Sequence, residues 1–146
     1  MENNAADKLF HLLKRTHTGA EMKECGLFCV ASKSFIAASP DRIFECKCHG
    51  KVCIEIKCPY SISHLSPLDK DAHLAYLDYS DKGTSLKKTH TYYTQSQLQM
   101  GVTKIEKCYF FIYTSHGHLL NEIDFDKDYL ILSLVEKCCK FMIFII

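Results

Sequence analysis

The chain has 146 residues, a natural length for one domain with its own core. Its 47% apolar and 24% charged residues exclude a disordered chain. A formal net charge of +1 excludes a global basic field, so any nucleic-acid contact must be local.

The opening "MENNAADKLF" lacks the basic and apolar regions of a secretory signal. The nine cysteines, an odd count, therefore read as reduced thiols of an intracellular protein, nuclear or cytoplasmic, rather than a disulfide framework. The closing "CKFMIFII" is apolar but short, and Glu136, Lys137 and Lys140 precede it. No window of ~20 apolar residues exists to span a bilayer, so no membrane partner is expected.

In chain order, Ala5, Leu9, Leu12 and Leu13 fall at helical spacing and predict a helix to about residue 15. Gly19 ends it. "LFCVA" and "SFIAA" read as short strands turning at Ser32-Lys33, and "RIFEC" and "VCIEIKC" as two more turning at His49-Gly50. Together residues 26–58 predict a small antiparallel meander. Residues 60–90 are polar, with Pro67 and Gly83 as punctuation, and predict a loop with one helical turn near "DAHLAYLDYS". "TYYTQSQLQMGV" predicts a helix with Tyr92, Gln95, Gln99 and Val102 on one face. "CYFFIYT" is an unbroken apolar run, as in a buried central strand, and "LLNEIDF" alternates beside it. His116-Gly117-His118 between them reads as a hairpin turn. Asp126 caps a last helix running to about Lys140. The order predicts an α/β (α+β) domain, a mixed central sheet flanked by helices.

Chemistry concentrates in "DRIFECKCHGKVCIEIKCP", Asp41 to Pro59. Alternation on the strand puts Glu55 and Lys57 on one face, with Ile54, Ile56 and Cys58 on the other. A surface ion pair would explain two opposite charges there at little energetic consequence. Alternatively, pairing through the His49-Gly50 turn brings Asp41 beside Glu55. Two close carboxylates repel unless a cation lies between them, and hard oxygen donors suit Mg²⁺ or Mn²⁺. Lys57 could then polarise a water or steady charge on a phosphate.

"SPDRI", "CIEIKCP" and "YYTQSQLQMGVT" resemble, in order, the successive motifs of the lambda-exonuclease-like YqaJ viral recombinase family. That family is a branch of the PD-(D/E)XK nuclease superfamily, and the resemblance runs over about residues 2–125. It implies a restriction-endonuclease-like core. It implies a Mg²⁺- or Mn²⁺-dependent deoxyribonuclease acting as an exonuclease on duplex DNA ends, in recombination or in viral or mobile-element DNA processing. Asp41 and Glu55 would ligate the metal with the backbone carbonyl of Ile56. Lys57 would orient the attacking water, and Gln95 would hydrogen-bond into the cluster. Glu2 matches the family's helix glutamate near the metal. Arg42 and Gln97 are further candidates for phosphate or DNA contact. The family includes a ring-shaped trimer, which makes a homo-oligomer a candidate assembly.

Three departures stand out. Arg42 replaces the family's usual glycine after the motif aspartate, so the turn differs or Arg42 meets a phosphate. The family's N-terminal segment with a phosphate-binding arginine is expected to be missing from a single domain spanning residues 1–146. Residues 139–146 match no family ending. A catalytically decayed or truncated DNA-binding or assembly module that keeps the fold is therefore the alternative function.

Cys46, Cys48, Cys53 and Cys58 form C-x-C-x₄-C-x₄-C, a poor match to the C-x₂₋₄-C knuckles of zinc sites. On the hairpin, Cys46, Cys48 and Cys53 could meet near the turn with His49, which describes a small zinc-binding interaction module. The cysteines are nevertheless assigned to the scaffold, with no zinc site. Cys138-Cys139 reads as packing. No cysteine-protease signature surrounds Cys58 or Cys108. "CYFFIY" lacks the interleaved basic residues of a base-stacking platform.

Overall fold

The computed structural model describes residues 1–30, 33–134 and 136. Helix α1 spans Glu2–Lys14 and buries Ala5, Ala6, Leu9 and Leu13 along one stripe. Strands β1 (Glu21–Lys23), β2 (Phe28–Val30), β3 (Lys33–Ala38), β4 (Arg42–Cys46) and β5 (Gly50–Lys57) follow. Then come β6 (Leu77–Ser80), β7 (Gly83–Leu86), helix α2 (Thr91–Thr103), β8 (Lys107–Thr114) and β9 (Gly117–Asp124). Residues 127–134 form helix α3. The Asp126 carboxylate accepts from the Tyr129 N–H at 3.1 Å and so caps it. The expected continuation of α3 to Lys140, with Cys138, Cys139 and residues 139–146, lies outside the described residues.

The main sheet has the order β1-β4-β5-β8-β9, and β5 and β8 are its parallel pair. A parallel pair needs a crossover, here residues 58–106, which carries α2. Both strands of this parallel pair are buried on both faces, which explains their near-continuous apolar sequence. On one face Phe44, Val52, Ile54, Ile56, Tyr109 and Phe111 pack under α1. On the other, Cys53, Cys108, Phe110 and Ile112 pack with Tyr93 and Met100 of α2. The β8–β9 hairpin turns at Ser115-His116.

Two expectations are corrected. The meander over residues 26–58 is split. β4 pairs with β5 but also with β1, a strand the sequence reading passed over, while β2 and β3 form a separate two-stranded sheet against α2. Residues 60–90 are not merely loop. They hold the β6–β7 hairpin and two 3₁₀ turns, at Tyr60–Ile62 and Lys70–Ala72. Among the described residues, no helix is long and apolar enough to cross a membrane.

Candidate active site

The site forms where β4 starts and β5 ends. Antiparallel register sets Arg42 across from Ile54, and the Asp41 N–H donates to the Ile54 carbonyl at 3.0 Å. One step further along that register, Asp41 stands across from Glu55, and residues directly across a ladder share a face. The Asp41 Oδ2 then accepts the Ile56 N–H at 2.7 Å, so its side chain takes over the ladder where β4 has no further residue. The N–H and C=O of one strand residue point to the same side. The Ile56 carbonyl therefore faces the edge that Asp41 only half covers.

Glu55 is 3% exposed, and it faces α2. Its Oε1 accepts from Lys57 Nζ at 2.8 Å and from Gln95 Nε2 at 3.2 Å. Its Oε2 accepts from Gln99 Nε2 at 2.9 Å. Gln95 and Gln99 are one helical turn apart, which places both amides over the same carboxylate. Lys57 is held from its other side by the Tyr92 ring, with Nζ 4.2 Å from the centroid. Tyr92 in turn packs edge-on to Tyr76 and His90, at 4.9 and 4.6 Å between centroids. The ammonium is thus fixed in direction rather than free to sweep.

Arg42 is drawn inward. It donates to the Asp41 carbonyl at 2.7 Å and to Asn3 Oδ1 at 2.9 Å. It also pairs with Glu2 and Glu24 at 3.6 and 3.3 Å. Its guanidinium ties α1 to β4, and a phosphate would have to displace these partners to reach it. Glu2 joins the site through its ion pair with Arg42, and its side chain is exposed. For Gln97 the expected contact with DNA is corrected. It is fully buried, donating to the Asp124 carbonyl at 2.9 Å and accepting from the Asp126 N–H at 2.8 Å. It latches α2 to the segment after β9 and has no amide group left for DNA. Gln99, on the predicted helix face, is an added site residue, and its spacing from Gln95 is the sequence signal for a second amide on Glu55.

The donor set fits a hard divalent cation. The neighbourhood holds four carboxylates, Glu2, Glu24, Asp41 and Glu55, against two cations, Arg42 and Lys57. Burial lifts the Asp41 pKa above the ordinary carboxylate range. The Glu55 charge adds to this, while the Ile56 N–H, Lys57 and Arg42 oppose it. A carboxylate raised in this way binds its proton more tightly folded than unfolded. Metal-free stability should therefore fall as pH rises through the ordinary carboxylate pKa toward the raised one. Asp41→Asn keeps an acceptor for the Ile56 N–H and removes the charge. We expect the metal-free variant to melt higher than wild type near neutral pH, with the gap closing in acid. Thermal melts in a chelator across pH check this, and a lower melting point at neutral pH contradicts it.

The model of the YqaJ-like viral recombinase domain matches residues 2–106. Among solved structures, LHK-Exo in complex with dAMP superposes with a TM-score of 0.66 at 24% identity, over 97% of this chain and 62% of that one. The alkaline exonuclease LHK-Exo from Laribacter hongkongensis superposes with a TM-score of 0.62 at 22% identity and the same coverage. No curated protein matches. The chain spans about 62% of the length of these solved neighbours. At such identities the superpositions establish the fold, a mixed sheet with helices on both faces. With the domain match covering α1 through α2 and both site strands up to β5, this chain belongs to the YqaJ-like viral recombinase domain family.

Proposed function

We propose that the chain is a divalent-metal-dependent deoxyribonuclease domain of PD-(D/E)XK type, acting as an exonuclease on duplex DNA ends. The observation that carries this reading is the buried Glu55 carboxylate, oriented by Gln95 and Gln99, with Lys57 clamped on it and Asp41 across the ladder. A structural ion pair would need no second carboxylate, and Asp41 stands across from Glu55 where burial and the Glu55 charge both disfavour its ionised form.

Asp41, Glu55 and the Ile56 carbonyl would hold Mg²⁺ or Mn²⁺, which when bound supplies charge neutralisation at a phosphate and a more acidic water. Asp41 keeps Oδ1 for this task, because Oδ2 is spent on the Ile56 N–H. Gln95 and Gln99 fix the plane of the Glu55 carboxylate, so little reorganisation is needed on ligation. Lys57 supplies a positioned ammonium beside the reacting phosphate. It steadies charge that develops on the phosphate oxygens and holds the attacking water by hydrogen bond. The Tyr92 ring keeps that ammonium from swinging to solvent.

The activity reading is tested by incubating the purified chain with linear, nicked and covalently closed duplex in Mg²⁺, Mn²⁺, Ca²⁺ or chelator. We expect nucleotide release from linear duplex in Mg²⁺ or Mn²⁺ only. Equal attack on closed circles would replace the exonuclease reading with an endonuclease. Full activity in chelator would remove the metal from the reaction.

A further inference from the structure

A second cluster lies at the opposite end of the β4–β5 hairpin from Asp41 and Glu55. His17, Cys46, Cys48 and His49 offer ligand atoms that all lie within 4.8 Å of one another. Cys46 ends β4, Cys48 and His49 form the turn into β5, and His17 arrives from the bend after α1. The sulfurs of Cys46 and Cys48 are 3.3 Å apart. The His49 Nδ1 is 3.2 Å from Cys48 Sγ and 3.9 Å from Cys46 Sγ. Tetrahedral zinc, with bonds of ~2.0–2.3 Å, puts its ligand atoms roughly 3.3–3.8 Å apart. Cys46, Cys48 and His49 already have about that spacing, and the His17 ligand atom lies within 4.8 Å of each.

The surroundings are those of a prepared metal site. His17 Nδ1 lies 2.8 Å from the Leu13 carbonyl, which can only accept, so Nδ1 carries the proton and Nε2 keeps its lone pair. The His49 backbone N–H donates to Cys46 Sγ at 3.3 Å and helps fix the position of that sulfur. The two loops are joined independently of any metal, since the Lys47 N–H donates to the Thr18 carbonyl at 2.8 Å. Gly19, at φ +61°, lets the bend close onto the Lys47 side chain, where a Cβ would come within 2.9 Å of Cγ. Cys46 is buried while Cys48 and His49 are exposed, which leaves an entry path.

The geometry points to a structural zinc site made by His17, Cys46, Cys48 and His49, clamping the end of α1 onto the β4–β5 turn. Cys46 and Cys48 would then be ligands rather than plain scaffold. Cys53 is not a member, since it points to the other face and lies 3.4 Å from Thr103 Oγ1. The remote His17 completes the set, and a search confined to the hairpin could not find it. The softness of two thiolates and two imidazoles selects zinc over the hard cations suited to Asp41 and Glu55.

The test uses the full chain, purified without a histidine tag and under reducing conditions. Zinc is counted by elemental mass spectrometry, and Co²⁺ substitution is read by visible absorption. We expect one zinc per chain and the intense thiolate-to-cobalt and tetrahedral ligand-field bands. Cys48→Ser, at an exposed position, and His17→Asn, at a half-buried one, should each weaken binding beyond the roughly 10–100-fold that loss of an outer partner costs. Cys53→Ser and Glu55→Gln should retain the metal, which separates this site from the proposed active site. Removing zinc with a strong chelator should lower the melting temperature, and restoring it should reverse the change. Zinc well below one per chain after zinc supplementation overturns the proposal. So does full retention by both Cys48→Ser and His17→Asn, or a Cys46–Cys48 disulfide that persists in reductant.

Discussion

Lys57→Ala is expected to lower single-turnover cleavage of linear duplex by roughly 10²–10³-fold, the usual cost of removing one positioned donor to transition-state charge. Metal binding should survive. Lys57 donates its ammonium to Glu55 Oε1 and supplies no ligand, so its loss frees a lone pair on the carboxylate rather than removing one. Affinity for Mg²⁺ should be equal to wild type or tighter. Without metal the variant should be less stable, because a nearly buried carboxylate loses its cation, and Mg²⁺ should recover part of that loss. Lys57→Arg should rescue poorly. A planar guanidinium can rest on Tyr92, but it cannot present the same single ammonium to Glu55 and to a phosphate. Cleavage with DNA binding measured separately in Ca²⁺ separates these effects. Equal cutting by Lys57→Ala would show that this lysine is only a structural partner of Glu55.

Glu55→Gln acts on the other half of the site. Calorimetry with Mg²⁺ or Mn²⁺ should show binding weakened by more than the roughly 10–100-fold that loss of an outer partner costs. The variant should fold. A glutamine can still offer its oxygen to Lys57 and Gln95, and its new amino group meets Gln99. Among the described residues the buried Gln99 Oε1 has no partner, so rotation of that amide turns a donor–donor conflict into a hydrogen bond. Glu55→Ala offers no such adjustment. It leaves the buried Gln99 amide with nothing to donate to, at about 1–3 kcal/mol, while the exposed Gln95 and the half-buried Lys57 can turn to water. Unchanged metal affinity in Glu55→Gln would move the cation away from the β5 carboxylate.

Much of this site was legible because its parts obey short-range rules. Alternation along β5 put Glu55 and Lys57 together, the His49-Gly50 turn set the register that brings Asp41 across, and helical spacing put Tyr92, Gln95 and Gln99 on one face. The unbroken apolar run of β8 announced an interior strand. The misses share a different cause. β1, β6 and β7 are three or four residues long, largely polar and partly exposed, so one alternating "LDYS" and a lone Thr84 are too short a signal to mark strands. Arg42 and Gln97 looked available because a sequence displays side-chain chemistry and hides its partners. Arg42 is claimed by Asn3, Glu2 and Glu24, and Gln97 by the backbone on either side of Phe125. His17 was invisible as a ligand because only the fold lays the end of α1 over the β4–β5 turn.

We propose that Asp41, Glu55 and Lys57 form a metal-dependent phosphodiester-cleaving site to which Gln97 does not belong. The most direct test is single-turnover cleavage of one end-labelled linear duplex, with wild type, Glu55→Gln and Gln97→Leu purified identically and each kept below its melting point. Gln97→Leu strips the latch between α2 and the segment after β9 and should cost about 1–3 kcal/mol of stability. The account predicts that wild type and Gln97→Leu cut at similar rates in Mg²⁺ or Mn²⁺, while Glu55→Gln is slowed by orders of magnitude. Cleavage by Glu55→Gln at the wild-type rate would contradict it, as would a folded wild type that binds metal and leaves the duplex intact in both cations.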